Sequence, residues 1–129
     1  MIGILNYGMG NLRSVANALS FLGLDFSIIS TREEICHVDK LILPGVGAFS
    51  AGMRNLEAFG FIPVLNEEVL RKRKPILGIC LGMQLLAEKS FEDGETLGLG
   101  WVKGEVRKLE PGDPTLKVPH MGWNEGIVR

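Results

Sequence analysis

The sequence predicts an α/β fold in which a mostly parallel sheet is flanked by helices on both faces. Apolar runs that are too short for helices alternate along the chain with segments whose apolar residues recur at helical spacing. Glycine-containing turns separate the two kinds of segment, as after the first apolar run, residues 2–5. Strands that alternate with helices form parallel sheets, and ligands then bind at the carboxyl ends of the strands.

The first half of the chain contains three predicted strands and three predicted helical segments. The strands are residues 2–5, 24–30 and 41–43; the first is followed by a helix with apolar positions from Leu12 to Leu22, and a polar connection precedes the third. A helix that starts at Phe49 breaks near Gly60 and Pro63, and a second helical segment follows it. Residues 71–74 are all basic, and we interpret them as a solvated helix end that complements the helix dipole.

The second half predicts a buried strand at residues 76–79 and a helix that continues through residues 87–89, which are good helix formers. Residues 91–100 are rich in glycine and acidic side chains and are interpreted as a loop. Residues 101–109 alternate apolar with charged side chains, which predicts a strand with one wet face, added antiparallel toward the C-terminus.

Composition limits the classes of function. A chain of 129 residues with 46% hydrophobic residues fits one domain with a substantial core. The formal net charge of −1 gives no basic surface for nucleic acid or an anionic membrane, so we expect small-molecule or protein partners. The N-terminus lacks the features of a signal peptide, which favours the cytoplasm. Two cysteines are too few for a zinc site, and we predict neither a metal nor a cofactor.

Cys80 lies where the predicted strand 76–79 becomes a helix. The first amides of a helix have no internal partners and favour negative charge, so they can stabilise a thiolate and the oxyanion formed when it attacks a carbonyl. Glycines at 78 and 82 keep bulk away from this sharp turn, as in a nucleophile elbow. From these residues alone, a small apolar cysteine packed at a junction remains an open alternative.

Three other features have simpler interpretations. Residues 44–47, Pro-Gly-Val-Gly, follow a strand and can offer backbone amides to a ligand, although a bare turn explains them as well. Gly8 and Gly10 resemble the start of a dinucleotide-binding motif, but the third glycine is missing, so we reject nucleotide binding. Cys36 lies in a polar connection without a catalytic motif, and we assign it to packing.

Residues 78–86, Gly-Ile-Cys-Leu-Gly-Met-Gln-Leu-Leu, closely resemble the nucleophile motif of class I glutamine amidotransferases. Residues 44–49 resemble the oxyanion strand of that family, and residues 118–124 resemble the signature of its branch that serves histidine biosynthesis. The resemblance covers the chain from Met1 to about Asn124. It implies a flavodoxin-like fold.

The resemblance also implies roles for single residues. Cys80 corresponds to the nucleophile that attacks the side-chain amide of glutamine, forms a thioester and releases ammonia. The ammonia passes to a cyclase subunit of (β/α)8-barrel type that makes imidazole glycerol phosphate. The implied oxyanion and substrate-binding residues are Gly45, Val46, Gly47, Leu81 and Gln84. The residues expected to face the cyclase are Asn11, His120 and Trp123.

A cysteine that hydrolyses glutamine needs a general base, normally a histidine held by a carboxylate. The chain offers His37 in a polar connection and His120 in the expected interface, and neither matches the family's triad histidine, which lies in a later segment with its glutamate. We therefore expect residues 1–129 to be one C-terminally incomplete domain, inactive alone, with apolar surface and a sheet edge exposed. A noncatalytic interaction fragment, or a glutaminase of another class I pathway, is the alternative function.

Overall fold

Four parallel strands form the main sheet in the order β2-β1-β3-β4. In the computed structural model, which describes residues 1–129, these strands are β1 (Ile2–Leu5), β2 (Phe26–Ile29), β3 (Lys40–Leu43) and β4 (Ile76–Gly78). All three pairings are parallel, and Ile4 of β1 lies opposite Ile28 of β2 and Ile42 of β3. This order is the beginning of the doubly wound order of flavodoxin-like folds, so the predicted fold class is confirmed.

Helices cover both faces of the main sheet. The helices are α1 (Leu12–Phe21), α2 (Arg32–Ile35), α3 (Phe49–Ala58), α4 (Phe61–Leu65) and α5 (Leu81–Gln84), and a π-helical turn, Asn66–Arg71, follows α4. Because side chains alternate along a strand, Ile4 and Ile42 pack with Leu19 of α1 on one face. Leu5 and Leu43 point to the other face, into a larger core that includes residues of α2 to α5.

A second sheet of three strands corrects three predictions. Its strands are β5 (Ala87–Ser90), β6 (Thr96–Leu97) and β7 (Val102–Val106), in the order β6-β5-β7. The predicted helix at 87–89 is wrong, since these residues pair with β6 and β7. The predicted loop at 91–100 contains β6. The predicted strand at 101–109 exists, but it pairs parallel to β5, and the antiparallel pair is β5 with β6.

Strand β4 is an edge strand, and the prediction that it is buried is wrong. It pairs only with β3, and Leu77 is 57% exposed on the face that carries α1. An apolar groove of about 270 Å³ runs beside it, lined in part by Ile2, Leu19 and Ile42. The expected sheet edge and exposed apolar surface are therefore present.

In the basic stretch 71–74, the side chains of Arg71, Lys72 and Arg73 are exposed, as predicted for a solvated helix end, but Lys74 departs from this prediction. Lys74 is nearly enclosed, and its ammonium group lies 2.9 Å from a carboxylate oxygen of buried Glu68. Lys72 donates to the other oxygen at 2.6 Å, and Lys74 also donates to the carbonyls of Ile35 and Cys36. Hydrogen bonds from Lys72 and then Lys74 lower the pKa of Glu68 to about 2. These bonds attach the start of β4 to α2.

The chain after β7 forms neither helix nor strand and is exposed almost throughout. None of the helices has both the length and the apolar character needed to cross a membrane.

Candidate active site

Cys80 occupies a strained turn between β4 and α5. Its backbone has φ 54° and ψ −116°, a combination that non-glycine residues rarely adopt and that costs about 1–3 kcal/mol. The turn is fixed from both sides, because the Ile79 amide donates to the Leu43 carbonyl at 2.9 Å and the Gly82 amide donates to the Ile79 carbonyl at 2.9 Å. We call residues 79–82 the Cys80 elbow. The predicted position at a strand-to-helix junction is confirmed, and the thiol is exposed.

Helix α5 is short but firmly anchored. It has four residues, and Leu81 and the following Leu85 are buried in the larger core. The Leu81 amide is the first of the helix and has no partner within it. Gln84 is half-buried one turn further along, and its own amide donates to the Cys80 carbonyl at 3.1 Å. The buried leucines thus hold the elbow in place while Cys80 faces solvent.

Gly82 allows the elbow to lie directly against the end of β3. A Cβ atom at this position would come within 1.8 Å of the Leu43 carbonyl oxygen, a backbone atom that cannot move aside. The sequence predicts that Gly82 keeps bulk away from the turn, but it does not reveal the strand that this glycine contacts. Only the three-dimensional structure shows that the carboxyl end of β3 is the neighbour.

The loop 44–47 meets the Cys80 elbow at Gly45. A Cβ atom on Gly45 would lie 2.8 Å from both the Gly82 nitrogen and the Leu81 Cβ, so the two segments are in contact. Gly45 is buried, whereas Val46 and Gly47 are exposed, and their amides donate no hydrogen bond within the chain. Gly47 has φ 116°, which favours glycine. The structure therefore places the predicted loop beside the predicted nucleophile.

Tyr7 is a residue of this site that sequence analysis missed. It follows β1, is completely buried, and donates its hydroxyl to the Pro44 carbonyl at 2.6 Å. Burial, and next the negative charge of the Cys80 thiolate, raise the pKa of Tyr7 above its usual range, so the hydroxyl stays protonated. A single tyrosine in a glycine-rich turn gives no sequence signal for this contact. Three loops, after β1, β3 and β4, thus converge at one end of the sheet.

The three residues predicted to face a partner, Asn11, His120 and Trp123, make different local contacts. Asn11 caps α1, because its side-chain oxygen accepts from the Ser14 amide at 3.1 Å. Trp123 is fully exposed, and the His120 ring lies 2.7 Å from the Asn124 side-chain nitrogen. These contacts neither require nor oppose a partner, so the interface stays a prediction.

The remaining candidate groups do not join the site. Cys36 is exposed rather than packed, so its assignment to packing is wrong. It directly follows the short helix α2, where the sequence predicts only a polar connection. His37 is exposed beside it. No cluster of three or more His, Cys, Asp or Glu side chains is arranged to hold a metal ion.

The site is an exposed part of the surface rather than a cavity. The largest depression of the surface, about 730 Å³, follows residues 108–118, and Cys80 lines none of the depressions of the molecule. A ligand at Cys80 would thus contact the loop 44–47 and α5 from one side.

A parallel sheet with a cysteine on a strained strand-to-helix turn is typical of α/β enzymes that carry their nucleophile at the end of a strand. Residues 3–129 match the family described as Glutamine amidotransferase class-I. The chain belongs to this family.

Curated relatives agree with this membership. The chain is 49% identical over 128 residues to "Imidazole glycerol phosphate synthase subunit HisH" of Zymomonas mobilis, a match that covers 96% of this chain and 60% of the relative. It is 52% identical over 125 residues to the subunit of the same name from Bacillus thuringiensis, covering 97% of this chain and 58% of the relative. The chain thus spans about 60% of the length of these relatives.

A solved structure shows the same fold. The structure, described as "Crystal structure of glutamine amidotransferase", superposes with a TM-score of 0.72 over 88% of this chain and 59% of that chain. The sequence identity is 22%, so this likeness concerns the fold alone.

Proposed function

We propose that these residues form the glutamine-hydrolysing site of an imidazole glycerol phosphate synthase that acts in histidine biosynthesis. The observation that carries the proposal is the strained Cys80 elbow in contact with the loop 44–47, because it brings a thiol and unpaired backbone amides to one end of the sheet. The names of the relatives support this particular synthase over a glutaminase of another pathway.

In the proposed reaction, the Cys80 thiolate attacks the side-chain carbonyl carbon of glutamine. Charge develops on the carbonyl oxygen, where amides of Val46 or Gly47 from one loop and of Leu81 from the other stabilise it. Collapse of the tetrahedral intermediate breaks the carbon–nitrogen bond, and the nitrogen takes up a proton and leaves as ammonia. Water then hydrolyses the thioester to glutamate and the free thiol.

Substrate contacts come from the same two segments. Gly45 presents backbone without a side chain next to the elbow, and half-buried Gln84 carries an amide that can pair with the polar groups of glutamine. Proton transfer needs a further group within hydrogen-bond reach of the reacting atoms. No hydrogen bond joins His37 or His120 to Cys80, and the proposal assigns the base to neither of them.

The ammonia is passed to a cyclase subunit of (β/α)8-barrel type. The word "subunit" in the names of the relatives supports a partner protein. Trp123 and Met121 are both almost fully exposed, and exposed Trp and Met side chains are enriched at interfaces. We therefore propose that the cyclase contacts residues 119–124, which include His120 and Trp123. Asn11 is proposed to face the cyclase as well.

Competition labelling of the two cysteines tests the glutamine site. Both thiols are exposed, so iodoacetamide can reach each of them, and peptide mapping gives a separate rate for each. We expect Cys80 to react faster than Cys36, and we expect glutamine, but not asparagine, to slow only the reaction of Cys80. The variant Cys36→Ala is the matched control, in which the rate and protection of Cys80 should not change. Faster labelling of Cys36, or no protection by glutamine, would contradict the proposal.

A further inference from the structure

The hydroxyl of Tyr7 lies at the point where the loop 44–47 touches the Cys80 elbow. It donates a short hydrogen bond of 2.6 Å to the Pro44 carbonyl, inside the protein and shielded from water. A Cβ atom on Gly45 would lie 2.7 Å from this hydroxyl and 2.8 Å from the Gly82 nitrogen. The Tyr7 hydroxyl and the Cys80 elbow therefore both lie against the backbone at Gly45.

This bond restricts the loop at its first peptide unit. The Pro44 carbonyl and the Gly45 amide belong to one planar group, so a partner that fixes the carbonyl fixes the whole plane. Gly45 and Gly47 tolerate many backbone conformations, and neither the Val46 nor the Gly47 amide is held by a hydrogen bond of its own. Without an anchor before them, these amides would sample many directions.

We propose that Tyr7 is a positioning residue whose hydroxyl, by holding the Pro44–Gly45 peptide, orients the amides of the loop 44–47 toward an oxyanion at Cys80. This inference rests on the proposed glutaminase function and adds to it a residue that does not touch the substrate. Burial, and next the negative charge of Cys80, raise the pKa of Tyr7, so the phenol keeps the proton that it donates to Pro44.

Two alkylating reagents separate this role from a general structural one. The thiolate first adds to the carbonyl carbon of a chloromethyl ketone analogue of glutamine, which creates an oxyanion. The sulfur then bonds to the methylene carbon as chloride leaves, and its bond to the carbonyl carbon breaks as the carbonyl re-forms. Iodoacetamide forms the same type of bond with loss of iodide, but no oxyanion develops. The ratio of the two alkylation rates therefore reports oxyanion stabilisation, while the iodoacetamide rate alone reports the thiolate.

We expect Tyr7→Phe in the 129-residue chain to lower the chloroketone rate about tenfold, less than the loss of a direct oxyanion donor. The iodoacetamide rate at Cys80 should not change. The control variant Ser30→Ala removes a different hydroxyl, which accepts from the Asn6 side chain at 3.3 Å, and should change neither rate. In nuclear magnetic resonance relaxation, the wild-type Val46 and Gly47 amides should have order parameters near those of rigid backbone, about 0.85, and lower values in Tyr7→Phe.

The other possible results would contradict either the positioning role of Tyr7 or the proposed glutamine site. If glutamine protects the wild type but Tyr7→Phe reacts with both reagents at the wild-type rates, or is slowed equally with both, the positioning role is wrong and the glutamine site stands. If the chloroketone rate of the wild type neither saturates nor responds to glutamine, the proposed function fails and the inference fails with it. If Tyr7→Phe does not fold, the wild-type relaxation data decide, and order parameters below about 0.6 for the Val46 and Gly47 amides would refute the inference.

Discussion

Replacing Cys80 with glycine should stabilise the protein relative to replacing it with alanine. Both substitutions remove the exposed thiol, so comparing them isolates the effect of a Cβ atom at residue 80. The observed φ of 54° with ψ −116° strains any residue with a Cβ atom by about 1–3 kcal/mol, and glycine avoids most of this strain. Glycine also makes the unfolded chain more flexible, which offsets about 0.5–1 kcal/mol. The expected net gain for glycine is about 1 kcal/mol.

The second free cysteine provides a matched control. Cys36 is also exposed, but its φ of −71° and ψ of −24° are ordinary helical values, so glycine there relieves no strain. Cys36→Gly should therefore be less stable than Cys36→Ala by about 0.5–1 kcal/mol. The glycine-minus-alanine difference should have opposite signs at the two cysteines.

Urea unfolding of the four variants measures these differences. With a denaturant slope of about 1–3 kcal/mol per molar urea, 1 kcal/mol moves the midpoint by roughly 0.3–1 M, which is readily resolved. Cys80→Gly should have the higher midpoint of its pair, and Cys36→Gly the lower midpoint of its pair. If Cys80→Gly is less stable than Cys80→Ala by the same margin as at position 36, the backbone at Cys80 is not strained and the reasoning is refuted.

Three further predictions concern the core of the site, the ion cluster and the partner. Gly82→Ala should destabilise the chain by about 1–3 kcal/mol or more, because the new Cβ would meet the Leu43 carbonyl at 1.8 Å, whereas Gly112→Ala, with open space around it, should leave the thermal midpoint unchanged. Glu68→Gln should lower the free energy of unfolding by about 1–3 kcal/mol at neutral pH. Because the pKa of Glu68 is lowered in the folded state, this difference from the wild type should be complete above pH 4.5 and should vanish as the pH falls toward 2. Urea titrations from pH 7 to 2 measure the difference, and a difference that did not shrink would contradict the prediction. Trp123→Ala should weaken binding of the cyclase about tenfold or more in a calorimetric titration without changing the thermal midpoint, and equal affinity would remove this side chain from the interface.

Much of the main sheet could be predicted because its signals are local. Strand β1 was predicted with its observed limits, and the start of α3 at Phe49 was predicted, since short apolar runs and helical spacing reflect burial of one face or both. The location of Cys80 between a strand and a helix was predicted in the same way.

Residues 87–90 could not be assigned from local preference. Ala87, Glu88 and Lys89 favour helix, yet they pair with the later segment 96–106 instead of forming helical bonds. The Ala87 carbonyl, for example, accepts from the Gly100 amide at 3.0 Å. Tertiary pairing thus outweighs a helix preference that amounts to a fraction of a kilocalorie per residue. The edge position of β4 was missed for a related reason, because an apolar run does not reveal how many neighbours a strand has.

The sequence by itself determined which residues are available for chemistry: one cysteine at a strand-to-helix junction, and a glycine-rich loop after another strand. The tertiary structure decided how these parts meet, through the contact of Gly45 with Gly82, the strain at Cys80 and the bond from Tyr7 to Pro44. The physical reason is that each of these features joins segments separated by more than thirty residues, or is imposed by such contacts, and only the packing of parallel strands brings their carboxyl ends to one edge.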